Sequence, residues 1–168
     1  MYPDFKELLF ILNEHRVRYL IVGAYAVGVH AQPWATKDFD ILVAADPKNA
    51  GAIFAAMAKF GAPLPGLTAA DFERPGPFFR MGQAPISVDI LTKIPGIEFD
   101  AAWQRRVEDV IDEKTGLKAS FISADDLIAS KQAAGRLQDL ADIEAVQKAQ
   151  GLRSVKNNTL EPGASSEQ

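Results

Sequence analysis

The hydrophobic and polar positions of the chain follow helical spacing near the N-terminus and strand spacing soon after it. Apolar residues recur every three or four positions at the start: Phe5, Leu8, Leu9 and Leu12. This period predicts a helix over residues 4–15, with Asp4 as its cap. An apolar run over residues 19–22 then stops at Gly23, which predicts a strand that turns directly into a second helix.

A second strand is predicted over residues 38–44, where two aspartates flank Phe39 ahead of an apolar run. Because strand side chains alternate between the two faces of a sheet, Asp38 and Asp40 share one face and Phe39 takes the other. The two carboxylates are therefore expected to lie close together on one side of the sheet.

The rest of the pattern predicts four more strands, two helices between strands and a helical C-terminus. The strands cover 78–81, 85–91, 107–112 and 117–122, and the helices cover 48–60 and 98–106. Asp46 is the predicted cap of the helix over 48–60, and Gly61 is its predicted stop. Gly82-Gln83 is the predicted turn of the first hairpin. Ser123 is the predicted cap of a helical region that runs to Gln150, as one helix or as two broken near Gly135.

Strands interleaved with helices predict an α/β or α+β fold, in which helices flank a mixed sheet and a helical region follows it. We expect residues 1–122 to form the α/β core and residues 123–150 to pack on it as the C-terminal helical region. Residues 151–168 turn polar and end in NNTLEPGASSEQ. Such a segment buries too little apolar surface to order itself, which predicts a disordered tail.

Composition narrows the function classes. The 168 residues are 48% hydrophobic and 24% charged, which suffices for one globular core. A net charge of -4 excludes a global basic field that would hold nucleic acid by its backbone. The absence of cysteine excludes disulfides and thiolate metal sites. Since no apolar run is long enough to span a membrane and the N-terminus lacks a basic leader, we expect a cytoplasmic protein with no membrane contact.

Three aspartates on predicted strands are candidate metal ligands. Asp38 and Asp40 share a face of one strand, and Asp89 lies in the alternating stretch ISVDIL of a later strand. Like charges held close together repel, and each is costly unless a cation lies between them. Mg2+ prefers oxygen ligands and usually takes only one or two carboxylates, which leaves room for substrate phosphates. The pattern therefore predicts a Mg2+ site.

Together, the turn at Gly23-Ala24, the strand with Asp38 and Asp40, and the later Asp89 resemble the nucleotidyltransferase superfamily with the polymerase-beta-like fold. The resemblance implies that the turn and the helix after it bind the triphosphate of an NTP. It also implies two Mg2+ ions held by the carboxylates, with Asp89 as metal ligand or general base. The implied enzyme moves a nucleoside monophosphate from the NTP to a hydroxyl acceptor and releases pyrophosphate.

The C-terminal stretch DDLIASKQAAGRLQDLADIEAV resembles the helical region of small stand-alone nucleotidyltransferases, including the abortive-infection toxin type. By this resemblance Lys131 would reach a phosphate or the base of the nucleotide, and Asp139 would orient Lys131 or Arg136. Thr36 and Lys37 precede the aspartates and are further candidates for phosphate contact. A charged loop without function is the competing interpretation for that pair.

One residue departs from the family pattern, because Ala24 stands where the family has Gly or Ser, and a hydroxyl that could touch phosphate is lost. This favours an alternative, a catalytically inactive protein of the same fold that binds nucleotide or acts as one partner of a toxin–antitoxin pair. In a third interpretation the chain is a structural α/β domain whose charged residues are merely solvated. The acceptor stays open between a small molecule, a protein side chain and an RNA end.

Overall fold

The structure is a computed structural model that describes residues 1–32, 36–76, 78–83 and 86–159. The helices are α1 (Pro3–Glu14), α2 (Gly23–His30), α3 (Pro47–Phe60), α4 (Phe99–Gln104), α5 (Ala124–Ala134) and α6 (Leu137–Thr159). The strands are β1 (Tyr19–Ile21), β2 (Asp38–Val43), β3 (Phe78–Gln83), β4 (Ile86–Leu91), β5 (Val107–Asp112) and β6 (Leu117–Phe121). Across these ranges, no helix combines the length and the apolar character that crossing a membrane requires.

The six strands of the described residues form one mixed sheet in the order β3-β4-β2-β1-β6-β5. Strand β2 pairs in parallel with β4 and antiparallel with β1, while β1 pairs in parallel with β6. The outer strands β3 and β5 each complete an antiparallel hairpin. Strand β1 is buried along its whole length, as expected for a central strand covered on both faces. The predicted fold class, a mixed sheet flanked by helices, is confirmed.

The alternation around Phe39 is also confirmed, and it shows which face of β2 belongs to the core. Phe39 is fully buried, with its ring stacked on Phe5 at 4.5 Å and edge-on to Tyr25 at 5.1 Å. This cluster ties β2 to α1 and α2. The aspartates on either side of Phe39 must therefore point to the other face.

Two local capping signals position the helices as predicted. Asp46 caps α3 by accepting a hydrogen bond from the Asn49 N–H at 2.9 Å, and Gly61 ends that helix with a left-handed φ of 82°. Ser123 caps α5 by accepting from the Asp126 N–H at 3.2 Å. Both signals act within four residues, so they do not depend on the tertiary fold.

Two local predictions were wrong. Asp4 does not cap α1, because Pro3 opens the helix and makes Tyr2 the residue at the cap position, with Asp4 inside the first turn. Gly82 and Gln83 are not the hairpin turn, because both belong to the β3–β4 ladder. Gly82 pairs with Ser87 and Gln83 with Ile86, although Gly82 has a left-handed φ of 87°.

The C-terminal helical region is two helices broken at Gly135, whose φ of 66° ends α5 in the left-handed conformation. Helix α6 then runs to Thr159, past the predicted boundary at Gln150, so residues 151–159 of the predicted disordered tail are helical. The rest of that predicted tail, residues 160–168, lies outside the described residues. No proline interrupts this extension, and Arg153 donates a hydrogen bond from it to the Val29 carbonyl at 3.4 Å. Helices α5 and α6 contact each other and α2, which places them beside the end of β1.

Candidate active site

The parallel pairing of β2 and β4 brings the predicted aspartates together. Asp40 is the direct neighbour of Asp89 in the register, and Asp38 lies opposite Ser87. The Ser87 hydroxyl donates to Asp38 Oδ1 at 2.7 Å. Because paired residues of neighbouring strands project to the same face, the three carboxylates share one face of the sheet. Asp38 lies exposed at its edge, whereas Asp89 is only 8% exposed.

Strand β1 ends next to Asp40, which positions Gly23 beside the carboxylates. The Val22 N–H donates to the Asp40 carbonyl oxygen at 3.0 Å, which anchors the end of β1 to β2. Gly23 then opens α2 with a φ of 64°. A Cβ atom on this residue would lie 3.0 Å from Asp40 Cγ and still closer to Oδ2. Only glycine permits both this backbone conformation and a carboxylate so close to the first turn of α2.

The electrostatics of Asp40 reflect this crowding. Burial, followed by the negative charges of Asp89 and Asp38, raises the pKa of Asp40 to about 6. The positive charges of Arg80 and Arg136 act in the opposite direction without cancelling the rise. A cation bound beside Asp40 would therefore stabilise the ionised form of its carboxyl group.

Arg80 is a site residue that the sequence did not single out. Its guanidinium donates to both carboxylate oxygens of Asp89, with Nε–Oδ1 and Nη2–Oδ2 distances of 2.7 Å each. The two residues are direct cross-strand partners in the β3–β4 hairpin. The only signal in the sequence was their separation of nine residues, which a hairpin of the right register converts into a direct pair.

A second charged cluster forms where α5 meets α6. Lys131 Nζ donates to Asp139 Oδ1 at 2.9 Å and to Asp142 Oδ2 at 2.7 Å, and the Arg136 Nε donates to Asp139 Oδ2 at 2.7 Å. Asp139 is 1% exposed and Lys131 is 8% exposed. Burial by itself would raise the pKa of Asp139, but the hydrogen bonds from Arg136 and Lys131 outweigh it and lower that pKa. Asp139 thus orients both cations.

These elements enclose a cavity of about 530 Å³. Its polar lining comes from seven residues: Asp40, Arg80, Asp89, Lys93, Ser130, Lys131 and Arg136. Its apolar lining includes Val22, Leu91, Ile94, Pro95, Leu127 and Ala134. Side chains from the sheet, from α5 and from the loop after β4 thus line one cavity. Its volume lies in the range of sites that bind small molecules.

Some of the predicted site residues do not line this cavity, and Asp38 is one of them. Ala24 follows Gly23 in the first turn of α2. Thr36 is tied to Asp38, since its hydroxyl donates to the Asp38 carbonyl at 3.2 Å and accepts from its N–H at 3.3 Å. Lys37 is exposed, and its carbonyl accepts from the Ser87 N–H at 3.3 Å. Within the described part of the chain, none of Ala24, Thr36 and Lys37 lines the cavity.

The residues present fit a Mg2+ site through Asp38 and Asp40. Carboxylate oxygens are the ligands that Mg2+ prefers, and the raised pKa of Asp40 marks negative charge that is not fully compensated. In the described ranges, no group of three or more His, Cys, Asp or Glu side chains is arranged to hold one ion. Both oxygens of Asp89 accept hydrogen bonds from Arg80, whose positive charge opposes a metal ion at this third carboxylate.

Comparison with solved structures supports the fold. The chain is similar to a protein from Thermotoga maritima described as a "putative nucleotidyltransferase", with a TM-score of 0.50 and 18% sequence identity. The match covers 92% of this chain and 91% of the other. At this identity the likeness concerns the fold alone.

Comparison at the level of sequence identifies the family. No curated protein matches the chain. A family model described as "Nucleotidyltransferase of unknown function (DUF6036)" matches residues 4–152, which contain the sheet, the cavity and both charged clusters. The chain therefore belongs to this family of nucleotidyltransferases of unknown function.

Proposed function

We propose that the protein is a Mg2+-dependent enzyme that transfers a nucleoside monophosphate from an NTP to a hydroxyl acceptor and releases pyrophosphate. The observation that carries the proposal is the convergence of Asp40, Asp89 and Gly23 on one cavity. They come from three different elements, β2, β4 and the start of α2, and a stable fold does not require two adjacent carboxylates against a helix start. Such an arrangement suits the binding of a cation together with phosphates.

The triphosphate would lie between the start of α2 and the mouth of the cavity. The N–H groups of Gly23 and Ala24 belong to the first turn of α2, where no partner within the helix is available. The positive end of the helix dipole also favours an anion there. Arg136 lines the same cavity with a side chain that is 61% exposed, so it remains accessible to a phosphate.

The carboxylates would hold the metal and orient the acceptor. Asp38 and Asp40 are the residues that would bind Mg2+, which when bound neutralises phosphate charge and lowers the pKa of an acceptor hydroxyl. Asp89, once released from Arg80, completes the set as a ligand or accepts the proton of the hydroxyl. The apolar cavity wall of Leu91 and Leu127 suits the ribose and base of the nucleotide.

Calorimetric titration of ATP, GTP, CTP and UTP with Mg2+ and then with EDTA tests the proposal. We expect Mg2+-dependent binding by the wild type and its loss in Asp40→Asn. Asp109→Asn is the matched control, because Asp109 is an exposed carboxylate on β5 far along the sheet order from β2. Transfer of label from the bound NTP to a small molecule, a protein or an RNA end then identifies the acceptor. Retained transfer by an Asp38→Ala/Asp40→Ala variant would contradict the proposal.

A second candidate is an inactive protein of the same fold that binds nucleotide or serves as a partner in a toxin–antitoxin pair. Two observations favour it: Arg80 occupies both oxygens of Asp89, and Ala24 offers no hydroxyl to phosphate. This candidate predicts NTP binding without label transfer, or a well-folded wild type that binds no NTP. The label-transfer assay therefore separates the two candidates if NTP binds, and the titration separates them if it does not.

A further inference from the structure

The pair formed by Arg80 and Asp89 joins an exposed residue to a buried one at the cavity wall. The Arg80 side chain is 59% exposed because β3 is an edge strand, whereas Asp89 lies inside the sheet with 8% exposure. Both residues line the cavity. The guanidinium can therefore move toward solvent or toward a ligand without disturbing the core, while the carboxylate stays in place.

Resting on the proposed function, we propose that Arg80 covers Asp89 in the free protein and moves to the phosphates of the NTP when the nucleotide binds. Asp89 is then released for its role beside Asp40. Arg80 is thus a binding residue for the substrate and also a positioning residue for the catalytic carboxylate. No covalent step is involved, because one anionic partner of the guanidinium is exchanged for another.

The chemistry of the two partners makes this exchange feasible. A guanidinium donates two parallel hydrogen bonds to a phosphate, as it does to a carboxylate. Arg80 therefore keeps its bidentate geometry when it changes partner. While Arg80 donates to both Asp89 oxygens, it occupies one lone pair on each, and its positive charge opposes the approach of a metal ion to that carboxylate. Metal binding at Asp89 is therefore coupled to nucleotide binding.

The local charge also favours the exchange. Asp38 and Asp40 add negative charge around Arg80, and hydrogen bonds with Asp89 raise its pKa, so Arg80 remains a cation throughout. Removing Arg80 from this group leaves three carboxylates with less positive charge nearby. A divalent cation that arrives with the NTP compensates for that loss.

The pair of Arg105 and Asp126 provides an internal control. Arg105 donates to both oxygens of Asp126 at 3.0 and 2.7 Å, and its side chain is 55% exposed, so the geometry matches that of the Arg80 pair. Asp126 also accepts from the Ser123 hydroxyl at 2.8 Å at the start of α5. Neither Arg105 nor Asp126 lines the cavity formed by the described residues. This second pair fastens α5 to the residue that follows α4.

The test compares Mn2+ binding, followed by the EPR signal of the free ion, with calorimetric binding of Mg2+·NTP. Without nucleotide, Arg80→Gln is expected to bind Mn2+ about tenfold more tightly than the wild type, because Asp89 is uncovered. The same variant is expected to bind Mg2+·NTP about tenfold more weakly, because a phosphate contact is lost. Arg105→Gln is expected to leave both affinities unchanged.

In Arg80→Gln the affinity for Mn2+ should rise while the affinity for Mg2+·NTP falls. General destabilisation of the variant would instead weaken both affinities. Arg80→Lys keeps the charge but not the two-pronged geometry, and we expect an intermediate gain in Mn2+ affinity. If the wild type binds Mg2+·NTP but Arg80→Gln has unchanged affinities for Mn2+ and for Mg2+·NTP, the exchange alone is overturned. A wild type that binds no NTP would overturn the proposed function, and the exchange with it.

Discussion

The carboxylate of Asp40 lies directly against the Cα atom of Gly23, so closely that no side chain fits at residue 23. The contact exists because the Val22 N–H bonds to the Asp40 carbonyl and brings the start of α2 beside β2. The proposed phosphate-binding turn and the proposed metal-binding carboxylate are thereby held beside each other. The following predictions address this contact first.

Gly23→Ala is expected to destabilise the fold by about 3 kcal/mol, from a left-handed backbone cost of about 1–2 kcal/mol and the displacement of Asp40. Gly61→Ala is the matched control, since Gly61 has a φ of 82° and open space around its Cα. Gly61→Ala is therefore expected to lose only the backbone contribution, about 1 kcal/mol. Urea unfolding measures both variants, and equal losses would show that the contact with Asp40 has no energetic weight.

Asp40→Asn is expected to stabilise the protein at neutral pH. The folded-state pKa of Asp40 is about 6 against an ordinary value of 3.8, so between these values the folded state binds more protons than the unfolded state. The wild type therefore loses stability as the pH rises from about 4 to 6. The variant has no titratable carboxyl group at residue 40 and does not show this loss. The difference should grow from near zero at pH 4 to about 1–2 kcal/mol at pH 7, allowing for partial solvent screening. Unfolding curves of the wild type and of Asp40→Asn at several pH values check this, and a difference that stays constant from pH 4 to pH 7 would contradict it.

Asp139→Asn is expected to cost about 2–4 kcal/mol, because it leaves the buried Lys131 with one carboxylate where it had two. Asp100→Asn should cost less than about 1 kcal/mol, because Asp100 is 83% exposed on its side chain and Arg18 retains Asp46. Chemical unfolding of the two variants gives the comparison. A loss in Asp139→Asn no larger than in Asp100→Asn would show that the cluster is not buried as the structure describes.

His30→Phe is expected to lose about 1–2 kcal/mol at pH 7.5. The His30 Nε2–H donates to the Ile122 carbonyl at 2.6 Å, and the variant leaves that oxygen without this donor. Burial lowers the pKa of His30 despite this hydrogen bond. Its contribution to stability is therefore present above the unfolded value of 6.5 and declines as the pH falls toward the lower folded value. The deficit of the variant should shrink between pH 7 and pH 5 in parallel unfolding curves, and a constant deficit would contradict the assignment.

Signals that act over a few residues were sufficient to predict most elements. Gly23 after an apolar run, the cap at Asp46 and the cap at Ser123 all appear in the structure as the sequence indicates. Each depends on hydrogen bonds or steric limits within four residues, so the rest of the fold does not alter it. The prediction for Gly82 and Gln83 failed because strand pairing, which is not local, decided their conformation.

The candidate site was predictable in its residue types but not in its connections. The alternation around Phe39 and in ISVDIL identified Asp38, Asp40 and Asp89 as strand carboxylates on polar faces. That Arg80 covers Asp89 follows only from the hairpin register. That Lys131 lies between two carboxylates follows only from the break at Gly135, which folds α6 back against α5.

By itself, the sequence determined the elements, their order and the polar character of one face of β2, because periodicity and capping are properties of neighbouring residues. The tertiary structure alone decided which of these residues meet. Ser87 lies 49 residues beyond Asp38, and the parallel pairing that joins them also places Asp89 beside Asp40. Such pairing depends on the burial of whole strands between helices, and that physical cause cannot be read from any short stretch of the chain.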